Sequence, residues 1–396
     1  MGARRAIIIG AGIGGLAAAH ALRRIGWHVT VYEQAPVIAP VGAGVAIAPN
    51  AVKALDHLGL GTALRDRGRR QTGLEIRLRG GARVANIPAE GIERRYGAPF
   101  YALHRAELHR LLMEGLGPDT FRTGHRAEGV DGTTVSLGTP DGARSDTADL
   151  VVAADGVNSR LRAALLPGYP GPTYAGYTVW RGIVPPDRTQ RLGLQAVLSE
   201  TWGRGARFGS ATIDERRIYW FAAESLAERS SPTHDLDQLA ARFQGWHDPV
   251  PALLAVTPPD ALLRHDVYYL RARLPGFVHG RVVLLGDAAH AVTPDIGQGA
   301  CLAIEDAVTL AAAVDEKGID GGLLVYDAVR RPRTERMART SGRLGRILQT
   351  RSPTGALLRD AIAAALPTPL LTKAVGSALA WTPPFGTHDV HARSGA

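Results

Sequence analysis

The chain has 396 residues and a formal charge of +9, with 45% hydrophobic and 21% charged side chains, the balance of a soluble globular protein too long for one ordinary core. No run reaches the ~18 apolar residues of a bilayer span, and a single cysteine, Cys301, excludes an internal disulfide or a Cys-rich metal site. Lysine occurs only at Lys53, Lys317 and Lys373; the arginine-borne charge reads as compositional bias or as attraction for anionic ligands, and without a basic, aromatic-interleaved run it predicts no nucleic-acid partner.

The start, Met-Gly-Ala-Arg-Arg before Ala6-Ile7-Ile8-Ile9, is charged and then apolar. The apolar run is short and leads straight into a glycine motif, so a cytoplasmic protein is expected rather than a secreted one. Residues 4–9 predict a buried strand. Gly10-Ala-Gly12-Ile-Gly14-Gly15 then opens a helical run, Leu16 to Leu22, and His28 to Tyr32 is a second strand ending at Glu33. This strand–helix–strand unit is the context in which G-x-G-x-x-G binds a dinucleotide. Gly10 makes the tight turn, Gly12 admits the pyrophosphate, and Gly15 lets helix and strand pack. Helix amides hold the phosphates, and Glu33 accepts from ribose hydroxyls.

Asn50 to Leu60 predicts a short helix with Asn50 as its N-cap, and His104 to Leu116 another. His104 and His109 are five apart, no other histidines sit at zinc-motif spacing, and no metal is expected. Leu150 to Ala154 is a buried strand stopping at Asp155-Gly156. From about 173 to 270 alternating and aromatic segments predict an antiparallel sheet, with a hairpin turn at Ile213-Asp214-Glu215-Arg216. Val282 to Leu285 returns as a buried strand before Gly286-Asp287, and a helix follows at 299–314. Cys301 at its start is either a small buried residue or a stabilised thiolate. Beyond Arg330 the chain reads as helical, broken by Pro353 and Pro367, with a loose tail from Trp381.

Three further segments carry a resemblance. They are Leu103-His104-Arg105-Ala-Glu-Leu108, Ala154-Asp155-Gly156-Val-Asn-Ser159-Arg160, and Gly286-Asp287-Ala-Ala-His290 with Pro294 and Gly297-Gln298-Gly299-Ala300. In this order they resemble the single-component FAD-dependent aromatic-ring hydroxylases, the para-hydroxybenzoate and salicylate hydroxylases among them. The resemblance implies a Rossmann-like, three-layer α/β FAD-binding domain, an inserted mainly antiparallel substrate domain, and C-terminal helices. The FAD domain would be split into 1–72, 98–172 and 271–330, the substrate domain into 73–97 and 173–270, with 331–396 helical.

The resemblance places Asp287 on the FAD ribityl chain and Arg105 near the ribityl and pyrophosphate groups. It sets Gly44 and Val45 beside the isoalloxazine ring, and Pro294, Gly297, Gly299 and Ala300 at its pyrimidine edge, where a positive helix end suits a flavin that becomes anionic on reduction. Asp155 belongs to a motif linked to both FAD and NAD(P)H, with a purely structural turn as the competing reading. The implied reaction uses NAD(P)H and O2: a flavin hydroperoxide hydroxylates a small aromatic or heteroaromatic substrate. The enzyme is expected to be a monomer or homodimer. An FAD-linked dehydrogenase, an epoxidase and a non-catalytic FAD carrier are the rival readings.

Trp180, Arg181, Arg207, Phe208, Tyr219 and Trp220 are the candidates for the substrate pocket, each alternatively domain core. Arg207, Tyr219 and Asp295 resemble the purine-facing set of bacterial FAD-dependent urate hydroxylases, from which Trp180-Arg181 departs. Arg207 and Tyr219 are expected to share a sheet face or meet across adjacent strands. The competing reading pairs Arg207 with an acid inside the domain and leaves Asp295 to shape its turn.

Overall fold

The computed structural model describes residues 4–38, 42–189, 192–193, 195–230, 236–367 and 376–384. Met1 to Ala3, Lys373 and the tail from 385 lie outside them. Two sheets organise the molecule. The first has the spatial order Val278–His279, Val282–Leu284, Leu150–Ala153, Arg5–Ile9, His28–Tyr32, Phe121–Arg122. All its pairings are parallel except the edge pair formed by Val278–His279. The central strands are continuous apolar runs, Ala6-Ile7-Ile8-Ile9 and Leu150-Val151-Val152-Ala153, buried on both faces, as a sheet covered on both sides requires.

The second sheet is seven-stranded, in the order Leu263–Tyr269, Thr173–Val184, Ile218–Glu224, Ala206–Thr212, Val197–Trp202, Gly73–Leu78, Arg83–Pro88. It is antiparallel apart from Val197–Trp202 against Gly73–Leu78. The expected hairpin joins Ala206–Thr212 to Ile218–Glu224. Its turn is held by Asp214, which accepts from the backbone N–H of Arg216 (2.8 Å) and Arg217 (2.6 Å).

A helix running from Gly299 to Leu348 packs on Ile13–Arg24 and is interrupted at Gly318, where φ is 71°. The expected helix at 299–314 is only its first part. Charge does what periodicity did not reveal: Arg330, fully buried, donates to Asp306 (2.6 Å) and Glu305 (2.6 Å) and ties the two halves together. Asn50 corrects another expectation. Ala48 is the N-cap and Pro49 the first helical residue of Pro49–His57. Asn50 is instead buried, and its Nδ2 donates to Gln298 (2.9 Å) and Glu305 (2.6 Å). Pro353 opens the helix Pro353–Ala365 rather than breaking one.

Candidate active site

Gly10 and Gly15 are demanded by sterics. Gly10 sits at φ 100°, where a side chain would meet the Ala154 carbonyl oxygen at 2.5 Å, and a methyl on Gly15 would overlap the Gly10 carbonyl. Gly14 lets its helix approach Leu285 and Ala303. Gly12 is different: its missing side chain faces no atom within 4 Å. It caps the helix Ile13–Arg24 with no side-chain hydrogen bond, so the first helical amides are available to an anion. Beside them lies a cavity of about 480 Å³ lined by Gly10, Gly12, Glu33, Asp155 and Arg160 among others. Glu33 is held in place by the backbone N–H groups of Ala11 and Ala35, both at 2.9 Å. Asp155 borders the cavity, but its carboxylate is engaged locally, accepting from Ser159 Oγ (2.6 Å) and the N–H groups of Arg160 (2.8 Å) and Leu161 (3.2 Å). It anchors the start of the helix Arg160–Leu165.

Asp287 begins a short helix after Gly286, a left-handed residue. Its side chain is exposed, yet protein surrounds the position closely enough that burial pushes its carboxyl up, against His290 and Arg105. The exposed surface leaves Asp287 open to a ligand. The turn behind it is fixed by Asp306, which accepts from Gly286 N–H (3.0 Å) and pairs with His290 Nε2 (2.5 Å). Burial pulls the Arg105 guanidinium down, while the Asp287 charge pulls it up. The Arg105 backbone N–H donates to Ala43 (2.8 Å). Gly44 and Val45 pair with His104 and Leu103, bringing two of the predicted segments together.

Pro294–Ile296 forms a single 3-10 turn, and Gly297 follows at φ 62°. The long helix then starts at Gly299 with no side-chain cap, beside the partly buried Ala300. Gly297 and Gly299, like Gly12, face open space where a side chain would stand. Two uncapped helix starts, three open glycines and an exposed carboxylate fit the donor and acceptor set of FAD. Cys301 is buried, its thiol pushed up to about 12 by burial, so the helix start does not make it a thiolate.

The register of the second sheet sorts the substrate candidates. Trp180, Phe208 and Trp220 share one face and form a core under the helices Leu236–Arg242 and Val250–Val256. They are domain core, which corrects their candidacy. Arg181 lies opposite Phe221, Ile183 opposite Tyr219, and Arg207 opposite Ala223, so Arg181, Arg207, Tyr219 and Phe221 share the other face. Arg207 and Tyr219 do not meet: four ladder positions, roughly 13 Å, separate them. Tyr219 presses on the strand that carries Gly44, since a methyl on Gly44 would lie 2.6 Å from its Cβ. Burial pushes its phenol up, with the Arg181 charge opposing.

At the other end Arg207 donates to Asp295 (2.5 Å) and Glu200 (3.1 Å), with 3% of its side chain exposed and none of that of Asp295. Burial opposes its charge, but Glu200 and Asp295 outweigh that and hold its pKa above the usual value. The pairing is partly the competing one, an acid of the same sheet, and partly a bridge to the turn before Gly297. Arg207 Nε has no acceptor. Tyr177 donates to both Asp295 oxygens (3.1 and 3.0 Å), and burial pushes its phenol well up.

Sequence reasoning missed Tyr177, Phe221 and Gly345. The first two share the odd-numbered alternation of Arg181 and Tyr219. Phe221 covers Gly209, where a methyl would meet its ring carbon Cζ at 2.5 Å. Gly345 carries no local signal; the Asp295 carboxylate rests against it across 50 residues of sequence.

Comparison with known proteins agrees with this geometry. A family described as FAD binding domain matches residues 4–341. The chain is 40% identical over 349 residues to aurachin C monooxygenase/isomerase of Stigmatella aurantiaca, covering 87% of this chain and 89% of the relative. It is 37% identical over 334 residues to an FAD-dependent urate hydroxylase of Klebsiella pneumoniae, covering 82% and 85%. Klebsiella pneumoniae HpxO, solved with FAD and uric acid, superposes with a TM-score of 0.86 at 31% identity, over 97% of this chain and 98% of that one. The chain belongs to the FAD binding domain family and, within it, to the FAD-dependent flavoprotein monooxygenases that hydroxylate small aromatic and heteroaromatic rings.

Proposed function

We propose that this monooxygenase hydroxylates a small anionic or phenolic ring in the cytoplasm, as a monomer or homodimer, with NAD(P)H and O2 as co-substrates. The stoichiometry is substrate, O2, NAD(P)H and a proton in, and hydroxylated substrate, water and NAD(P)+ out. FAD supplies the redox chemistry when bound. The segments 1–72, 98–172 and 271–330 hold it: Gly12 and the helix amides bind the pyrophosphate, Glu33 the adenosine ribose, and Asp287 with Arg105 the ribityl region. Gly44, Val45, Pro294, Gly297, Gly299 and Ala300 border the ring. Asp155 acts through the turn it anchors. The segments 73–97 and 173–270 supply the substrate face, and the part of the 331–396 region around Gly345 packs behind Asp295.

The observation that carries this reading is Arg207, a buried cation joined to Asp295 with one N–H donor unspent. A buried donor without an acceptor costs free energy, and an oxygen of the substrate relieves that cost. Tyr219 and Phe221 supply an aromatic wall along the same face, and Asp295 orients a ring N–H or a water. Relatives named for urate hydroxylation and for aurachin C monooxygenation support a ring substrate. The test is a panel of small rings matched in size, carboxylated, phenolic and neutral, read as substrate-stimulated NAD(P)H oxidation. Anionic and phenolic rings should show the higher kcat/KM; a preference for neutral apolar rings overturns the reading.

A further inference from the structure

A second cavity, about 780 Å³, lies apart from the one beside the glycine loop. It runs between the end of the strand carrying Tyr177, the loop after Tyr269, and the far part of the long helix. Its floor includes His290, Thr293 and Asp295, on the stretch that connects Asp287 to Gly297.

The walls are strongly basic. Arg271, Arg273, Arg339, Arg343, Arg346 and Arg351 line them, and Glu335 and Asp295 are the lining acids. Glu335 is shared by Arg273 and Arg339, each at 3.5 Å, and Asp295 is taken by Arg207 and Tyr177. Arg271, Arg343, Arg346 and Arg351 therefore have no carboxylate partner among the described residues. Arg339, Arg343 and Arg346 stand at helical i, i+4, i+7 spacing and share one face. Like charges at that spacing repel, and a bound polyanion reverses the sign of the effect.

We propose that this groove binds the diphosphate of NAD(P)H. The inference rests on the reading that the enzyme draws its electrons from NAD(P)H. Two dinucleotides must be accommodated. FAD accounts for the glycine-loop cavity, and the second groove has the size of a ligand pocket and the charge for a diphosphate. A small ring substrate needs less room and carries less charge. With the phosphates on Arg343 and Arg346, the nicotinamide end lies over the Asp287–Gly297 stretch whose ends border the flavin. Guanidinium forks suit phosphate oxygens.

The experiment uses the FAD-loaded enzyme and the double variant Arg343→Ala/Arg346→Ala, both exposed positions. The KM for NAD(P)H should rise tenfold or more. FAD affinity, the KM for the ring substrate, and single turnover of dithionite-reduced enzyme with O2 should stay unchanged. ADP-ribose, which carries the diphosphate but transfers no hydride, should bind the parent and bind the variant at least tenfold more weakly by calorimetry. An unchanged KM for NAD(P)H, or a rise confined to the ring substrate, overturns the proposal. A parent enzyme that oxidises no NAD(P)H refutes the functional reading instead, and the ADP-ribose comparison still decides the groove.

Discussion

Gly345→Ala adds one methyl group to the long helix, and its effect can be worked from the structure. The added carbon would lie 2.8 Å from Asp295 Cγ, and nearer still to Oδ2. Ordinary carbon contacts are ~3.5–4.0 Å, so the carboxylate must retreat by roughly 1 Å. It now accepts from Arg207 at 2.5 Å and Tyr177 at 3.0 and 3.1 Å, and that retreat breaks or lengthens these bonds in a buried site. A hydrogen bond to a charged group contributes about 1.5–3 kcal/mol. Alanine returns at most about 1 kcal/mol of helix propensity. The net expectation is about 1–2 kcal/mol of destabilisation in urea unfolding, with kcat/KM lowered at least tenfold and FAD content retained. Gly342→Ala is the control: one turn away on the same helix, its methyl meets nothing within 4 Å, so it should be neutral or slightly stabilising. Equal stability and kinetics in the two variants would refute the packing of Asp295 against the helix as the basis of the site.

Asp287→Ala should weaken FAD binding by roughly ten- to a hundredfold, the equivalent of ~1.5–3 kcal/mol for a lost charged hydrogen bond, with the secondary structure unchanged by circular dichroism; equal affinity in fluorescence titrations rejects the role. Arg207→Lys and Tyr219→Phe should lower kcat/KM for the ring substrate without loss of bound FAD, and unchanged kinetics in both would remove them from the site. Burial alone would raise the Asp306 carboxyl, but His290 and Arg330 outweigh it and hold it at about 2, below its ordinary value. Its contribution is therefore complete above about pH 4 and fades as pH falls towards 2, a loss of roughly 2 kcal/mol. Unfolding measured across that range should show a shallower acid limb in Asp306→Asn, and an identical limb contradicts the assignment.

The cofactor half of the molecule was legible because its signals are local. Gly10, Gly12, Gly15 and Glu33 sit within one strand–helix–strand unit, and the turn at Gly10 and the close packing at Gly15 each demand glycine there. The substrate half depends on register, which one sequence does not fix. Trp180, Phe208 and Trp220 have the same composition as a ring-binding wall, and only the pairing of Trp180 with Ala222 and of Phe208 with Ala222 puts them on the core face. Asn50 looked like a cap because helix starts favour asparagine, but a distant carboxylate, Glu305, claimed its amide. The buried charges of the long helix are similar: nothing near Arg330 in sequence announces that Asp306 lies behind it, 24 residues earlier.

The central claim is that this chain inserts one atom of O2 into a small ring. The direct measurement is turnover of the FAD-loaded protein with NAD(P)H, a ring substrate from the panel and isotopically labelled O2, with the product read by mass spectrometry. One labelled oxygen per product molecule, matched by one NAD(P)H consumed, is the predicted result. NAD(P)H consumed with hydrogen peroxide as the only oxygen product across the panel, or product oxygen drawn from water, would contradict it.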